Sequence, residues 1–180
     1  MSDLQQQVVE LWEARDQLDP TDPEVRATVH QAIDLLDRGQ ARVAEVGTGG
    51  DVVVHTWLKQ AILLLFRLAP MTTMELGPFE FVDKIPLKSH YHDRQVRVVP
   101  GASARWGSYQ APGVVMMPSY INIGAYVGAN TMVDTWATVG SCAQIGSNVH
   151  LSGGVGIGGV LEPAVASPCL LYTSDAADDY

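Results

Sequence analysis

The sequence predicts a small α+β domain followed by a parallel β-helix built from hexapeptide repeats. Two observations support this fold class: helix patterns and turn signals fill the first hundred residues, and an aliphatic residue then recurs at every sixth position. The predicted domains are 1–100 for the α+β unit, 101–163 for an incomplete set of β-helix coils, and 164–180 for a tail outside the repeat.

The α+β unit opens with two helical patterns. Apolar residues at helical spacing predict a first helix over 4–18. The second helix has clear end signals, since Asp22 suits the N-cap, Pro23 suits the first helical position, and Gly39 suits the C-terminal end.

The rest of this unit mixes short strands with one further helix. The segments 42–46 and 51–55 flank a glycine-rich turn and therefore predict a β-hairpin. A third helix is predicted over 57–68, and short strands interrupted by Pro86 are predicted over 79–99.

The repeat begins after Pro100. An aliphatic residue recurs at every sixth position, and the residue directly after it is often small or turn-prone. We expect this second residue to let the chain turn a corner between short strands. The aliphatic positions are Val115, Ile121, Val127, Val133, Val139, Ile145, Leu151 and Ile157.

Composition narrows the function classes. The chain has 11 Lys and Arg against 20 Asp and Glu, a net charge of −9, which disfavours a nucleic-acid partner but leaves room for a small anion bound by a few local cations. The two cysteines suggest neither a disulfide framework nor a metal knuckle. No signal peptide or membrane-spanning run is evident, so we expect a cytoplasmic protein without a membrane partner.

The tail departs from the repeat. The hexapeptide pattern stops at Pro163, and the stretch from Cys169 to Asp179 resembles a translated sequencing adapter. We therefore expect 164–180 to be non-native or disordered and the β-helix to be truncated; the alternative is a genuine acidic C-terminus.

Long continuous strings resemble the tetrahydrodipicolinate N-succinyltransferase family of hexapeptide-repeat transferases. The resemblance covers roughly 4–163. Its strings occupy 117–126, 132–146 and 148–163, with shorter ones at 35–37, 42–45, 57–59, 83–84 and 97–100.

Membership of that family implies a left-handed β-helix with three hexapeptides per coil, so residues 18 apart should stack. Val115, Val133 and Leu151 would form one buried ladder, and Ile121, Val139 and Ile157 another. The family forms homotrimers and transfers succinyl from succinyl-CoA, a co-substrate, to the amine of L-2-amino-6-oxopimelate in lysine biosynthesis. No bound cofactor or metal is implied. Family members continue past Pro163 with a catalytic glutamate and much of the CoA channel, so this chain alone is expected to be inactive.

The resemblance also indicates site residues. Asp134 matches a substrate-contacting aspartate and is the predicted catalytic residue, able to orient or deprotonate the amine; from spacing alone it would be a turn stabiliser. Arg97 matches a substrate-binding arginine, and Arg105 is a weaker candidate for binding a carboxylate. His150, just before an inward position, is more typical of a packed or solvated residue. The pair His90 and His92 has too few companions for a metal site.

Three other function classes fit the sequence less well. Another hexapeptide acyl-CoA transferase, acting on a sugar or serine, is disfavoured by the α+β unit and the string 132–136. A β-helix carbonic anhydrase needs three zinc histidines, and the repeat holds only His150. A non-catalytic scaffold or ice-binding solenoid predicts a flat threonine face, which the repeat does not show.

Overall fold

The computed structural model describes residues 3–172 and confirms the predicted fold class, a small helical N-terminal unit followed by a parallel β-helix that matches the left-handed type. The N-terminal unit contains three helices and two antiparallel hairpins. These are α1 (Asp3–Glu13), α2 (Pro23–Asp37), β1 (Ala44–Val46), β2 (Val52–Val54), α3 (Thr56–Leu68), β3 (Thr72–Leu76) and β4 (Phe79–Asp83).

The helix ends follow local chemistry. The Asp22 carboxylate accepts the backbone N–H of Glu24 at 2.8 Å, which confirms the predicted N-cap of α2. The prediction for the first helix was too long, because α1 ends at Glu13. There the Arg15 guanidinium lies 4.6 Å from the centre of the Trp12 ring and donates to the Trp12 carbonyl at 2.8 Å, satisfying a carbonyl that a continuing helix would use.

The predicted hairpin over 42–55 is confirmed by the pairing of β1 with β2. The next hairpin was only half anticipated, because strands were predicted from residue 79 onward and β3 already begins at Thr72. Gly77, at φ +58°, supplies the left-handed turn between β3 and β4. Within residues 3–172, no helix has both the length and the apolar character needed to cross a membrane.

Twelve short parallel strands form the β-helix, arranged as three sheets of four strands each. The first sheet contains β5 (Arg97–Val98), β8 (Val115–Met116), β11 (Met132–Val133) and β14 (His150–Leu151). The second contains β6 (Ser103–Ala104), β9 (Tyr120–Ile121), β12 (Thr138–Val139) and β15 (Gly156–Ile157). The third contains β7 (Tyr109–Gln110), β10 (Tyr126–Val127), β13 (Gln144–Ile145) and β16 (Leu170–Leu171).

The repeat therefore starts earlier than the aliphatic pattern indicated, because β5 begins at Arg97 and Ala104 and Gln110 hold inward positions in the first coil. A small and a polar residue at these positions hide the pattern. The boundary after residue 100 stays a prediction. Of the tail predicted over 164–180, the structure describes the part up to Tyr172, in which β16 pairs with β13, and the rest lies outside the described residues.

One inward ladder was assigned wrongly at its first member. Met116, not Val115, pairs with Val133, and Met116 is fully buried whereas Val115 is half-buried. The step from Met116 to Ile121 is five residues instead of six, because the corner containing Pro118 is one residue short. The second ladder, in which Val139 pairs with Ile121 and Ile157, is confirmed.

The corners use a different position from the one predicted. Backbone with positive φ occurs three residues after an inward residue, at Gly101, Gly107, Gly113, Gly124, Asn130, Trp136, Cys142, Asn148 and Gly154. The small residue directly after each inward position has another reason. At Gly128, for example, a Cβ would strike the backbone of Gly146 on the next rung, so glycine allows close stacking there.

The helices pack on one edge of the β-helix. Ile123 and Cys142, at a corner of the β-helix, belong to the same buried cluster as the helical core. A buried ion cluster lies at this seam: Lys88 Nζ lies 2.6 Å from Asp37 Oδ1, and Arg94 Nη2 lies 2.8 Å from Asp37 Oδ2. Asp37 Oδ1 also accepts the Gly107 backbone N–H at 3.0 Å, which ties the end of α2 to the first coil.

Candidate functional site

The outer face of the first sheet carries the candidate site. Because side chains alternate along a strand and Val133 and Leu151 point inward with no exposed surface, their neighbours Asp134 and His150 point outward. Asp134 follows β11 and His150 opens β14 on the next rung. The two side chains are therefore diagonal neighbours on adjacent rungs.

Asp134 and His150 are in direct contact. His150 Nε2 lies 3.2 Å from Asp134 Oδ2, and the two side chains retain 37% and 31% of their surface exposed. The other carboxylate oxygen, Oδ1, accepts the Thr135 backbone N–H at 2.6 Å and the Thr135 hydroxyl at 3.2 Å. Both carboxylate oxygens are thus engaged, and reactants can approach the pair from solvent.

These contacts stabilise the charged form of the carboxylate. The pKa of Asp134 lies below its usual value, chiefly because the Thr135 backbone N–H donates to it and next because His150 does. Asp134 is consequently ionised at neutral pH, and a carboxylate held in this way is a weak proton acceptor.

The corner beyond Asp134 is strained and exposed. Trp136 adopts φ +61°, a conformation that bulky residues rarely take, and 76% of its surface is exposed. The other corners of the β-helix adopt the same positive φ, so what distinguishes Trp136 is a bulky, exposed side chain at a corner position.

Arg97 lies on the same sheet as Asp134 but not in contact with it. It was expected to precede the β-helix, yet it opens the first strand, β5, and pairs in register with Val115, which in turn pairs with Met132. Strand β5, which carries Arg97, therefore lies two strand spacings from β11, which precedes Asp134. The two strands are about 10 Å apart at the usual spacing. The Arg97 side chain is exposed and makes no hydrogen bond or ion pair within residues 3–172.

Arg105 lies on a different face. It follows β6 in the second sheet, where its Nη2 lies 2.8 Å from Asp83 Oδ2 and its Nη1 lies 3.3 Å from Asn122 Oδ1. Its guanidinium also lies 5.6 Å from the centre of the Phe66 ring. Arg105 lines a cavity of about 700 Å³ beneath the β3–β4 hairpin, so the structure does not bring it together with Asp134.

The described part of the chain shows no metal centre, and its buried cysteine is not a nucleophile. Within residues 3–172, no three His, Cys, Asp or Glu side chains converge as metal ligands would. Burial raises the pKa of the Cys142 thiol to about 12, so this cysteine stays protonated. His90, one of the alternating pair, is an exposed loop residue 3.9 Å from Asp93.

Sequence reasoning undervalued His150. A histidine next to an inward position gives little signal by itself, but His150 follows Asp134 by 16 residues, nearly one coil. That spacing places it on the next rung, displaced by two residues along the strand, where an imidazole can reach the carboxylate. Comparing residues one coil apart in polar positions would have found the pair.

Comparisons with known proteins agree on one family. Residues 3–68 match the family model described as Tetrahydrodipicolinate N-succinyltransferase N-terminal. Three similar proteins are each named 2,3,4,5-tetrahydropyridine-2,6-dicarboxylate N-succinyltransferase. The protein from Pseudoalteromonas translucida is 56% identical in an alignment 179 residues long that covers 95% of this chain and 64% of that protein. The protein from Tolumonas auensis is 54% identical over 95% of this chain and 65% of its own length. The protein from Bordetella petrii is 56% identical over 94% of this chain and 64% of its own length. The chain thus spans about two thirds, at 64–65%, of the length of these relatives.

Proposed function

Because the chain belongs to the tetrahydrodipicolinate N-succinyltransferase family over the length that it shares with its relatives, we propose that it transfers succinyl from succinyl-CoA to the amine of ring-opened tetrahydrodipicolinate, L-2-amino-6-oxopimelate. The reaction would serve the diaminopimelate route to lysine. The observation that carries the proposal is the Asp134–His150 pair on an exposed face, because amine acylation needs a proton acceptor beside the nucleophile.

The spacing of charged groups on this face suits the acceptor. The substrate carries one carboxylate next to its amine and a second at the far end of a seven-carbon chain. With the amine at Asp134, the far carboxylate would extend toward Arg97, which lies two rungs across and two residues along the strand, about 12 Å away. The exposed Arg97 guanidinium can then bind that carboxylate with two parallel hydrogen bonds.

Arg105 has a secondary place in the proposal. Its guanidinium is already held by Asp83 and Asn122, and its cavity lies on another sheet. Arg105 would contact the dicarboxylate only if the substrate lay between the outer face of the second sheet and the outer face of the first. This arrangement arises when the second sheet of one subunit faces the first sheet of its neighbour. The proposal therefore includes a homotrimer, as the family resemblance implies, and a cytoplasmic location. Succinyl-CoA enters as a co-substrate and no cofactor is bound.

The test compares this chain with a chimera in which residues 1–163 continue into the Pseudoalteromonas translucida protein from the residue that follows the one aligned with Pro163. Release of CoA is followed with succinyl-CoA or acetyl-CoA as donor and with tetrahydrodipicolinate or serine as acceptor. We expect the chimera to release CoA with succinyl-CoA and tetrahydrodipicolinate together and the chain alone to be inactive. A chimera that folds but releases no CoA with this pair, or that prefers acetyl-CoA and serine, would contradict the proposal.

A further inference from the structure

A cavity of about 510 Å³ lies at the seam between α2 and the first coil of the β-helix. Its walls come from the C-terminal half of α2, from the loop before β5 and from the corner after β6. His30 and Trp106 form an aromatic wall, with ring centroids 5.2 Å apart and ring planes at 69°. Leu87, half of whose surface is exposed, adds an apolar lining, so the cavity offers both charged and apolar contacts.

Two carboxylates lie at the end of α2 where the helix backbone least favours them. Asp34 and Asp37 are in the last turn, next to the negative end of the helix dipole. Asp37 is compensated, because Lys88 and Arg94 form ion pairs with it at 2.6 and 2.8 Å and the Gly107 backbone N–H donates to it. The buried ion cluster therefore accounts for Asp37 and leaves Asp34 to be explained.

Asp34 is held more loosely and lines the cavity. Its Oδ1 accepts the Trp106 indole N–H at 3.2 Å, and its Oδ2 lies 3.4 Å from Arg38 Nη2. The side chains of this ion pair keep 42% and 60% of their surface exposed, so the pair contributes little to stability. A ligand ammonium group can replace Arg38 on this carboxylate without disturbing the core.

A guanidinium lies beside the Asp34 carboxylate. Residues three positions apart are neighbours on a helix surface, so Asp34 adjoins Asp37 and the Arg94 side chain that Asp37 holds. Arg94 donates through Nη1 to the Asp37 carbonyl and through Nη2 to Asp37 Oδ2, and its side chain is 30% exposed. Because a guanidinium carries five N–H groups, Arg94 can also donate to a carboxylate in the cavity.

The charge of the lining narrows the class of ligand. Apart from its histidines, the lining has three cations, Arg38, Lys88 and Arg94, against two carboxylates, a net charge of +1. The pKa of His30 lies below its usual value, chiefly because packing partly desolvates the ring and next because Arg26 is near, so His30 is neutral at neutral pH. A molecule with one ammonium and two carboxylates complements this lining, whereas a diamino acid with a net positive charge does not.

We propose that this cavity binds an amino dicarboxylate, with the ammonium on Asp34 and a carboxylate on Arg94 and Arg38. Trp106 and Leu87 cover the carbon chain. The inference goes beyond the proposed function and does not rest on the transfer reaction. Because the ligand contacts α2, the loop before β5 and the first coil, its binding stabilises the seam between the helical unit and the β-helix.

The test follows the ¹⁵N-labelled 180-residue chain by NMR while L-glutamate, glutarate, L-lysine or inorganic phosphate is added. The Trp106 indole N–H, assigned with Trp106→Phe, and the His30 ring report on the cavity. We expect saturable shifts with L-glutamate, binding of glutarate that is weaker by about tenfold or more because glutarate lacks the ammonium, and no saturable shift with L-lysine. The L-glutamate shifts should persist in Asp134→Asn, which separates this cavity from the proposed transfer site.

Three variants distinguish the two halves of the site. Asp34→Asn keeps an oxygen for the Trp106 N–H but loses the charge, so L-glutamate should bind about tenfold more weakly while glutarate binds no worse. Arg38→Gln removes an exposed cation and should weaken both ligands by about threefold. Glu24→Gln removes a charge at the other end of α2 and, as the matched control, should bind like the parent.

Two results at the cavity would overturn the inference: Asp34→Asn that binds L-glutamate as tightly as the parent, or phosphate that binds the parent as tightly as L-glutamate. L-glutamate shifts that never saturate, or that vanish in Asp134→Asn, would overturn it as well. Thermal unfolding gives a second readout. Saturating L-glutamate should raise the melting temperature of the parent and of Glu24→Gln more than that of Asp34→Asn, and equal rises in all three would contradict a site at the seam.

Discussion

Because the step between Met116 and Ile121 is five residues long, truncating Met116 should destabilise the β-helix more than truncating Val115. Regular six-residue spacing predicts the opposite order. Met116 is fully buried and pairs with Val133 inside the β-helix, whereas Val115 is half-buried and lies on the outer side. Strict six-residue spacing places Val115 inside and Met116 outside. Truncating each side chain to alanine therefore tests the register directly.

The expected magnitudes differ severalfold. Met116→Ala removes a fully buried side chain from a stacked ladder and should lower the free energy of unfolding by about 2–5 kcal/mol, since the neighbouring rungs cannot collapse into the space. Val115→Ala removes two methyl groups from a half-buried outer position and should lower it by less than about 1 kcal/mol. Met116→Leu nearly conserves the volume and should lose less than about 1.5 kcal/mol, which makes it the folding control.

Urea unfolding, followed by circular dichroism and by tryptophan fluorescence, measures these differences. With a slope of about 2 kcal/mol per molar urea, a loss of 3 kcal/mol lowers the midpoint by about 1.5 M. Coincident transitions by the two signals would justify treating unfolding as two-state. A Val115→Ala variant that loses as much stability as Met116→Ala would refute the shortened corner.

Three further predictions concern single positions. Asp22→Ala removes the N-cap of α2 and should lower the free energy of unfolding by about 1 kcal/mol in the same urea experiment, with Asp22→Asn close to the parent. Gly140→Ala should unfold at lower temperature than the parent because its Cβ would strike the Gly159 backbone, whereas Gly156→Ala has open space and should melt like the parent; equal melting temperatures would contradict the close stacking of rungs. Burial lowers the pKa of Lys88 to about 8, so between about pH 8 and 10 the unfolded chain binds more protons than the folded chain. The free energy of unfolding should therefore rise with pH over this range, by up to about 3 kcal/mol relative to Lys88→Met. A difference between parent and variant that does not depend on pH would refute this.

The fold class could be predicted because each rung repeats the same physical requirement. Aliphatic side chains fill the interior at the inward positions from Ile121 to Ile157, and this leaves a period of six that is visible without a structure. The helix α2 was predictable for a local reason, since Asp22 and Pro23 specify its start through hydrogen bonding and fixed φ.

The departures have physical causes that spacing does not encode. The first coil was missed because one inward position holds a small residue, Ala104, and another holds a polar one, Gln110. The register slipped at Pro118 because a corner can lose one residue while both neighbouring strands keep their pairing. The end of α1 depends on a side chain, Arg15, that folds back onto the last turn.

The candidate site was predictable in part. Asp134 and Arg97 came from matched strings, and the structure places both on one sheet, while it places Arg105 on another sheet in an ion pair with Asp83. The importance of His150 depends on a contact between rungs, which exists only once the coil length is known. Their roles in catalysis remain proposals.

The most direct test of the account is to map where the acceptor binds. The ¹⁵N-labelled chain is titrated with 2-aminopimelate, which has the chain, amine and carboxylates of the acceptor without its oxo group, and backbone and imidazole shifts are followed. We expect saturable shifts at Arg97, Thr135 and His150 that disappear in Asp134→Asn. Shifts confined to the cavity lined by Arg105 and Phe81, with the Asp134 face unchanged, would contradict it.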